Sequence, residues 1–465
     1  MSRLVGVESL NLAPTFYPRN VAVIGASRTK GKIGHNVVEN LLNGGFKGRI
    51  YPINPKADEI LGLKAYRNIR DVPEDVDLAV IVIPAPLVPS AMEDCAAANV
   101  KGVVIISAGF SEIGEEGRKL EDEVVRIARR NGIRVIGPNC QGLINLSANL
   151  IAWFGPVPKK KGSVAFITQS GAYGGALISL TNRLGMSFFN VVVSIGNKCD
   201  VDEVDLIEFL AKDENIRVIA LYIEGLRNGR KFMEVAKKAS LLKPIVILKA
   251  GRSPEGARAV LSHTGTLAGR DEIFDAAFKQ CGALRVYTTE ELLDSSLALA
   301  SKQYAYGDKI VIITNAGGPG AIAADTCRDH NIKLLRLSSK TISELRKLLP
   351  PQCAVENPID VTGDPRPERF EIALRTVLKN EDPSGILLIV IGPLRGGEEV
   401  ARIIIKYREI YKKPMVVCWL AKEFAGEGPS MVEEAGIPVY DTPERAVFAM
   451  ASLIRYGMYL RRERG

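Results

Sequence analysis

A histidine flanked by two hydroxyls, in a segment crowded with glycine, is the stretch of this 465-residue sequence best equipped for chemistry. His263 is one of three histidines; Ser262 and Thr264 flank it, and glycines stand at 251, 256, 265 and 269. A neutral imidazole is a competent nucleophile near neutral pH. The glycines disfavour a long helix or a strand, so a loop is expected here. Glu224 directly follows the apolar run 218–223. A carboxylate beside imidazole can hold its tautomer and stabilise its positive charge. Ser170 and Gly171 follow the run 162–167 and precede a helical pattern expected from about residue 172. Free N–H groups at such a helix start favour an anion by ~0.3–1 kcal/mol. Gly317 and Gly318, after the strand pattern Ile310–Ile313, repeat the arrangement.

These residues need elements to position them. Short β-branched runs alternate with glycine turns and helical patterns along the whole chain, which indicates an α/β protein of parallel sheets with helices on both faces. The first segment, 1–148, reads as a Rossmann-type domain with strands at Val21–Ile24, Ile50–Ile53, Leu78–Ile83, Gly102–Ile106 and Val135–Ile136. Gly25, Ala26, Ser27, Arg28 and Lys30 lie in a loop before a helix expected from His35, the layout of a phosphate cradle. The spacing is not G-x-G-x-x-G, and Lys56 stands after the second strand, where an NAD site uses an acid. A lysine there suits a ligand with an extra phosphate, coenzyme A or NADP. Pro84, Ala85, Pro86 and Ser107, Ala108, Gly109 follow later strands, at the edge where open α/β sheets bind ligands.

The stretch Trp153–Lys161 reads as a linker. A second segment, 149–300, carries strands at 162–167, 191–194, 218–223 and 245–249, so Ser170, Glu224 and His263 are expected at one sheet edge. A third, 301–465, has strands at 310–313, 386–390 and 415–418. Both later segments read as flavodoxin-like.

Composition narrows the function classes. With 46% hydrophobic and 25% charged residues the chain can bury sizeable cores. No apolar run approaches the ~20 residues that span a bilayer, and the first residues lack a signal-peptide core. A cytoplasmic protein with no membrane partner is expected. The net charge of +8 is spread out, without a basic stripe for nucleic acid. Seven cysteines without a CxxC or Cys/His pairing predict neither a disulfide framework nor a metal site.

Taken in order, Val23-Ile-Gly-Ala-Ser27, Ile53-Asn-Pro-Lys56, Ile136-Gly-Pro-Asn-Cys140 with Gly142, Thr168-Gln-Ser-Gly-Ala172, Ile223-Glu-Gly225 and Ser262-His-Thr-Gly265 resemble the α subunits of ADP-forming acetyl-CoA synthetases, relatives of succinyl-CoA synthetase. The resemblance covers nearly the whole chain. It implies an acid–thiol ligase that makes an acyl phosphate from acyl-CoA and phosphate, passes the phosphoryl group to a histidine, and delivers it to ADP. By resemblance, His263 is the phosphorylated residue and Glu224 its hydrogen-bond partner. Ser170 with Gly171, and Gly317 with Gly318, are the two phosphate-binding helix starts. Gly25 to Arg28, Lys30, Lys56, Pro84 to Pro86 and Ser107 to Gly109 bind CoA. Asn139 and Cys140 lie near the thioester, with Cys140 not implied as a covalent nucleophile.

CoA and phosphate therefore belong to this chain. No Walker-type loop or ATP-grasp module is found in the sequence, so ADP or ATP with Mg2+ is assigned to an ATP-grasp β subunit in an α2β2 heterotetramer. If CoA and ADP bind far apart, the phosphoryl group must travel on a mobile loop hinged at the glycines around His263. Two other readings stay open: a non-catalytic CoA-sensing or scaffold module, and an NADP-dependent oxidoreductase.

Overall fold

The computed structural model describes residues 12–264, 270–363, 366–392 and 396–464. The chain divides into two compact units, 1–285 and 286–465.

Unit one contains two sheets. The first uses β1 (Asn20–Ile24), β2 (Arg49–Ile53), β5 (Leu78–Ile81), β6 (Gly102–Ile105) and β7 (Arg134–Ile136), all parallel, in the order β2-β1-β5-β6-β7. A small ribbon, β3 (Glu59–Ile60) and β4 (Leu63–Lys64), follows β2. Strands covered on both faces read as continuous apolar runs, and Val21, Ala22 and Val23 are fully buried. Chain order reverses between β1 and β5, the position where doubly wound sheets open a crevice for ligands.

The second sheet has the order β14-β13-β12-β10-β11-β8-β9. Its parallel part is β10 (Val164–Thr168), β11 (Phe189–Ser194), β12 (Val218–Ile223) and β13 (Ile245–Lys249), with β14 (Leu284–Val286) at one edge. At the other edge β8 (Gly142–Asn145) and β9 (Leu150–Trp153) form an antiparallel hairpin. The sequence did not reveal this hairpin. Every residue of both strands is buried, so the polar–apolar alternation that marks a half-exposed hairpin is missing. Trp153, expected at the start of a linker, is the buried last residue of β9. One apolar core runs through both sheets, joining Val21, Val23 and Leu78 to Ala165, Ile167 and Val191.

Unit two is built on β15 (Lys309–Thr314), β16 (Lys333–Leu334), β17 (Ile359–Asp360), β18 (Gly385–Ile391), β19 (Met415–Leu420) and β20 (Val439–Tyr440). The order is β16-β15-β18-β19-β20, with β17 also beside β15, and all pairings are parallel.

The segment around His263 departs from expectation. Residues Pro254–Thr264 form a helix, so His263 lies in its last turn and not in a loop. The N-terminal signals outweigh the glycine count. Ser253 Oγ accepts the Gly256 N–H at 3.1 Å, its carbonyl accepts the Ala257 N–H at 2.8 Å, and Pro254 takes the first helical position. Gly256 falls in the first turn, and Ala257, Ala259 and Leu261 favour helix. Gly265 and Gly269 lie outside the described residues. Among the described residues no helix is long and apolar enough to cross a membrane.

Candidate functional site

The first sheet gathers the expected CoA residues along the C-terminal ends of its strands. Gly25 directly follows β1 with φ of +90°, and its N–H bonds to Ile53 O at 3.0 Å. A Cβ there would lie 2.3 Å from Val82 O. One at Gly34 would lie 2.1 Å from Gly25 O, so glycine at both positions lets the helix Ile33–Asn43 press on the turn. That helix begins two residues earlier than expected. Asn54 Nδ2 donates to Ala26 O at 2.7 Å, the His35 ring Nδ1 is 3.0 Å from Ser27 O, and Ser27 Oγ accepts the Thr29 N–H at 3.1 Å. Arg28 reaches Lys56 O at 3.5 Å, joining the two loops, and Arg28, Lys30 and Lys56 are exposed. A backbone-lined turn rimmed by three cations suits a phosphorylated ligand.

Beside it opens a cleft of about 570 Å³, lined on one side by Pro84, Ala85, Pro86, Ala108 and Gly109 and on the other by residues including Ile113 and Leu120. Ser107 Oγ donates to Ile83 O at 2.5 Å and Ser107 O accepts the Asn139 N–H at 2.9 Å, which holds three successive strand ends together. Cys140 is buried, and its thiol donates to Ile105 O at 3.3 Å. Burial pushes that thiol up to about 12, so at neutral pH it carries no thiolate.

The second sheet brings Ser170 and Glu224 to one edge. Strands β10 and β12 are neighbours with Thr168 opposite Tyr222. Ser170 caps the helix Gly171–Arg183, its Oγ accepting the Tyr173 N–H at 3.3 Å. Gly171 and Ala172 open that helix, and their N–H groups are ones a helix leaves without an internal acceptor. Glu224 is 5% exposed. Gln169 Oε1 accepts the N–H groups of both Glu224 and Gly225, the latter at 3.1 Å, which ties the two strand ends together. Tyr222 lies 3.5 Å from Glu224 Oε1, and burial, then the Glu224 charge, pushes its phenol up to about 12. Lys249 ends β13 opposite Ile223, is buried, and lies 4.7 Å from the centre of the Phe274 ring. Burial lowers its pKa, while Asp271 and Glu224 oppose that shift. The helix bearing His263 leaves this same strand end.

Gly317 and Gly318 open the helix Gly317–Asp329 of unit two, directly after β15. Thr314 Oγ1 donates to Ala316 O and accepts the Ala316 N–H, both at 3.0 Å.

Sequence reasoning gave no role to Gln169, Asn197, Lys198, Glu203 or Lys249. Gln169 stands within Thr168-Gln-Ser-Gly-Ala172, but its bonds cross to residues 55 and 56 positions away. The signal for Lys198 was a lysine just after an apolar strand and a glycine, where a solvated side chain is the usual outcome.

Sequence models of three families match in succession: a CoA binding domain over residues 19–145, a succinyl-CoA ligase like flavodoxin domain over 161–299, and a ligase-CoA domain over 310–453. The α subunit of acetate–CoA ligase (ADP-forming) I from Pyrococcus furiosus is 43% identical, covering 97% of this chain and 98% of that one. Acetate–CoA ligase (ADP-forming) I from Archaeoglobus fulgidus is also 43% identical over 97% of this chain, which spans 64% of that protein. Among solved structures, an acetyl-coenzyme A synthetase 1 of Candidatus Korarchaeum cryptofilum, in complex with phosphate and ADP, superposes with a TM-score of 0.91 at 39% identity, covering 98% of this chain and 99% of that one. The matched models, in this order, and the relative that is 43% identical over 97% of this chain agree, and the chain belongs to the family of ADP-forming acetate–CoA ligase α subunits.

Proposed function

We propose that this chain converts acetyl-CoA and phosphate to acetyl phosphate and CoA, and then carries the phosphoryl group on His263. In the first step a phosphate oxygen bonds to the acetyl carbon, the C–S bond breaks, and CoA leaves with a proton on sulfur. In the second, an imidazole nitrogen bonds to phosphorus, the acetyl O–P bond breaks, acetate leaves and the ring proton is released. Gly25 to Arg28, Lys30 and Lys56 hold the CoA phosphates. The cleft from Pro84–Pro86 to Ser107–Gly109 takes the remainder, with Asn139 and Cys140 near the thioester.

Glu224 stabilises the imidazolium formed as phosphorus is attacked, while Ser170 and Gly171 hold the phosphoryl oxygens at a helix start. Gly317 and Gly318 serve as a second such start. The domains are taken as 1–148, 149–300 and 301–465, with β8 from the first range completing the sheet of the second. An ATP-grasp β chain supplies the site for ADP and Mg2+ in a cytoplasmic α2β2 assembly, and the segment bearing His263 moves between the sites.

One observation carries this reading: a buried carboxylate is fixed at the sheet edge where a serine-capped helix begins and from which the His263 helix departs. The full chain with acetyl-CoA and phosphate is expected to release CoA, and ATP is expected only after an ATP-grasp chain and Mg2+·ADP are added. CoA release without any requirement for phosphate would contradict the reading.

A further inference from the structure

The turn Gly196–Cys199, which follows β11, has no part in the proposed steps, yet it contacts both places where they occur. On one side it seats against the first sheet. Asn197 N–H donates to Pro138 O and Cys199 N–H to Gly137 O, each at 2.9 Å. The approach is close enough that a Cβ on Gly196, whose φ is +50°, would lie 2.2 Å from Pro138 O. The Asn197 side-chain amide donates to Glu112 Oε2 at 2.6 Å and Glu121 Oε2 at 2.9 Å. Glu112 Oε1 in turn accepts the N–H groups of Gly109 at 2.5 Å and Phe110 at 3.1 Å. Gly109 lines the cleft.

On the other side is a buried ion pair. Lys198 is 5% exposed and Glu203 1%. Lys198 Nζ lies 3.0 Å from Glu203 Oε2 and donates to Gly225 O at 2.7 Å. Gly225 is thus gripped twice, its N–H by Gln169 and its carbonyl by Lys198, immediately after Glu224. A buried ion pair is a weak source of net stability, because desolvation offsets the attraction. What it does supply is a charged donor at a fixed point.

We infer that the Gly196–Cys199 turn is a positioning element shared by the two steps, with Asn197 setting the Gly109 edge of the acyl-CoA cleft and the Lys198–Glu203 pair setting Glu224. The inference rests on the proposed two-step reaction. It is tested on the full chain with two independent readouts. The first is CoA thiol released from acetyl-CoA and phosphate. The second is acid-labile label on His263 from labelled acetyl phosphate.

Asn197→Ala is expected to raise the KM for acetyl-CoA about tenfold while leaving the label rate within about twofold. The double variant Lys198→Met/Glu203→Gln removes both charges, leaves no lone buried ion, and is expected to slow labelling about tenfold with thiol release little changed. Lys198→Gln/Glu203→Gln keeps a neutral donor for Gly225 O and is expected to label faster than the methionine variant. Wild-type label rate in the methionine variant, or equal loss of both readouts in the double variants, would overturn the inference. So would failure of both double variants to fold, which would make the pair purely structural. A wild-type chain that takes no label on His263 would instead sink the underlying reaction, a result visible before any variant is made.

Discussion

Thr168–Gly171 and Thr314–Gly317 share one construction and differ in what surrounds it. In each, a threonine ending a strand accepts the N–H of the residue two positions on, at 3.2 and 3.0 Å, and donates to its carbonyl, at 2.7 and 3.0 Å. In each, the intervening amide side chain reaches the next strand: Gln169 takes the N–H groups of Glu224 and Gly225, and Asn315 takes that of Ile391 at 2.9 Å. A helix then opens on glycine. But Ser170 caps its helix and Ala316 has no side chain to do so. The clamp of Gln169 ends on a buried carboxylate; that of Asn315 ends on Ile391, followed by Gly392. Beside Gly317 the acid comes from another strand, for a Cβ there would lie 3.2 Å from Asp360 Oδ2. The same strand, threonine turn and glycine-opened helix recur in both units, and what differs is the set of side chains around them.

The sharpest way to break that contrast is at Glu224. Glu224→Gln keeps the shape of the side chain and removes its charge, and phosphorylation of His263 is expected to slow about 100-fold in single-turnover labelling. An unchanged rate would make the two helix starts chemically equivalent. The clamps come next. Gln169→Ala leaves the buried N–H groups of Glu224 and Gly225 unsatisfied, and Asn315→Ala the half-buried N–H of Ile391; they are expected to cost about 2–3 and about 1 kcal/mol, respectively, by urea denaturation. Only the Gln169 change should slow labelling. Equal kinetic losses would mean that the clamp matters in itself and not through Glu224.

Much of this construction was legible in the sequence, because a β-branched run followed by Gly and a helical pattern encodes strand, turn and helix locally. Thr168–Gly171, Gly25 and Gly317 were found that way. The helix Pro254–Thr264 is hidden by the glycines around it, and only Ser253 and Pro254 signal its start. The hairpin Gly142–Trp153 was hidden by complete burial. The bonds that build the site lay beyond reach for a different reason. Gln169 to Glu224, Lys198 to Gly225 and Asn197 to Glu112 each join residues 27 to 85 positions apart, and no local pattern records such pairings.

Alkaline pH tests whether the two units differ in general or only at these helix starts. Burial pushes the thiols of Cys95 and Cys140 in unit one, and of Cys327 and Cys418 in unit two, up to about 12. Between the ordinary thiol value of 9.0 and about 12 the folded chain keeps these protons while the unfolded chain releases them. Stability therefore falls as pH rises through that window, by about 1 kcal/mol per thiol near pH 10. Urea midpoints at rising pH, read with probes in each unit, should fall in both. The smallest effects belong to the caps. Ser170→Ala is expected to cost about 1 kcal/mol, and Ala316→Ser to gain up to about 0.5 kcal/mol, in thermal melts.

The most direct test is chemical. The full chain is incubated with acetyl-CoA and labelled phosphate, and the phosphorylated residue is mapped. Acid-labile, base-stable label on His263, absent from His263→Ala although that variant still releases CoA, is the expected result. Label that persists in His263→Ala would contradict the assignment of His263 as the phosphoryl carrier.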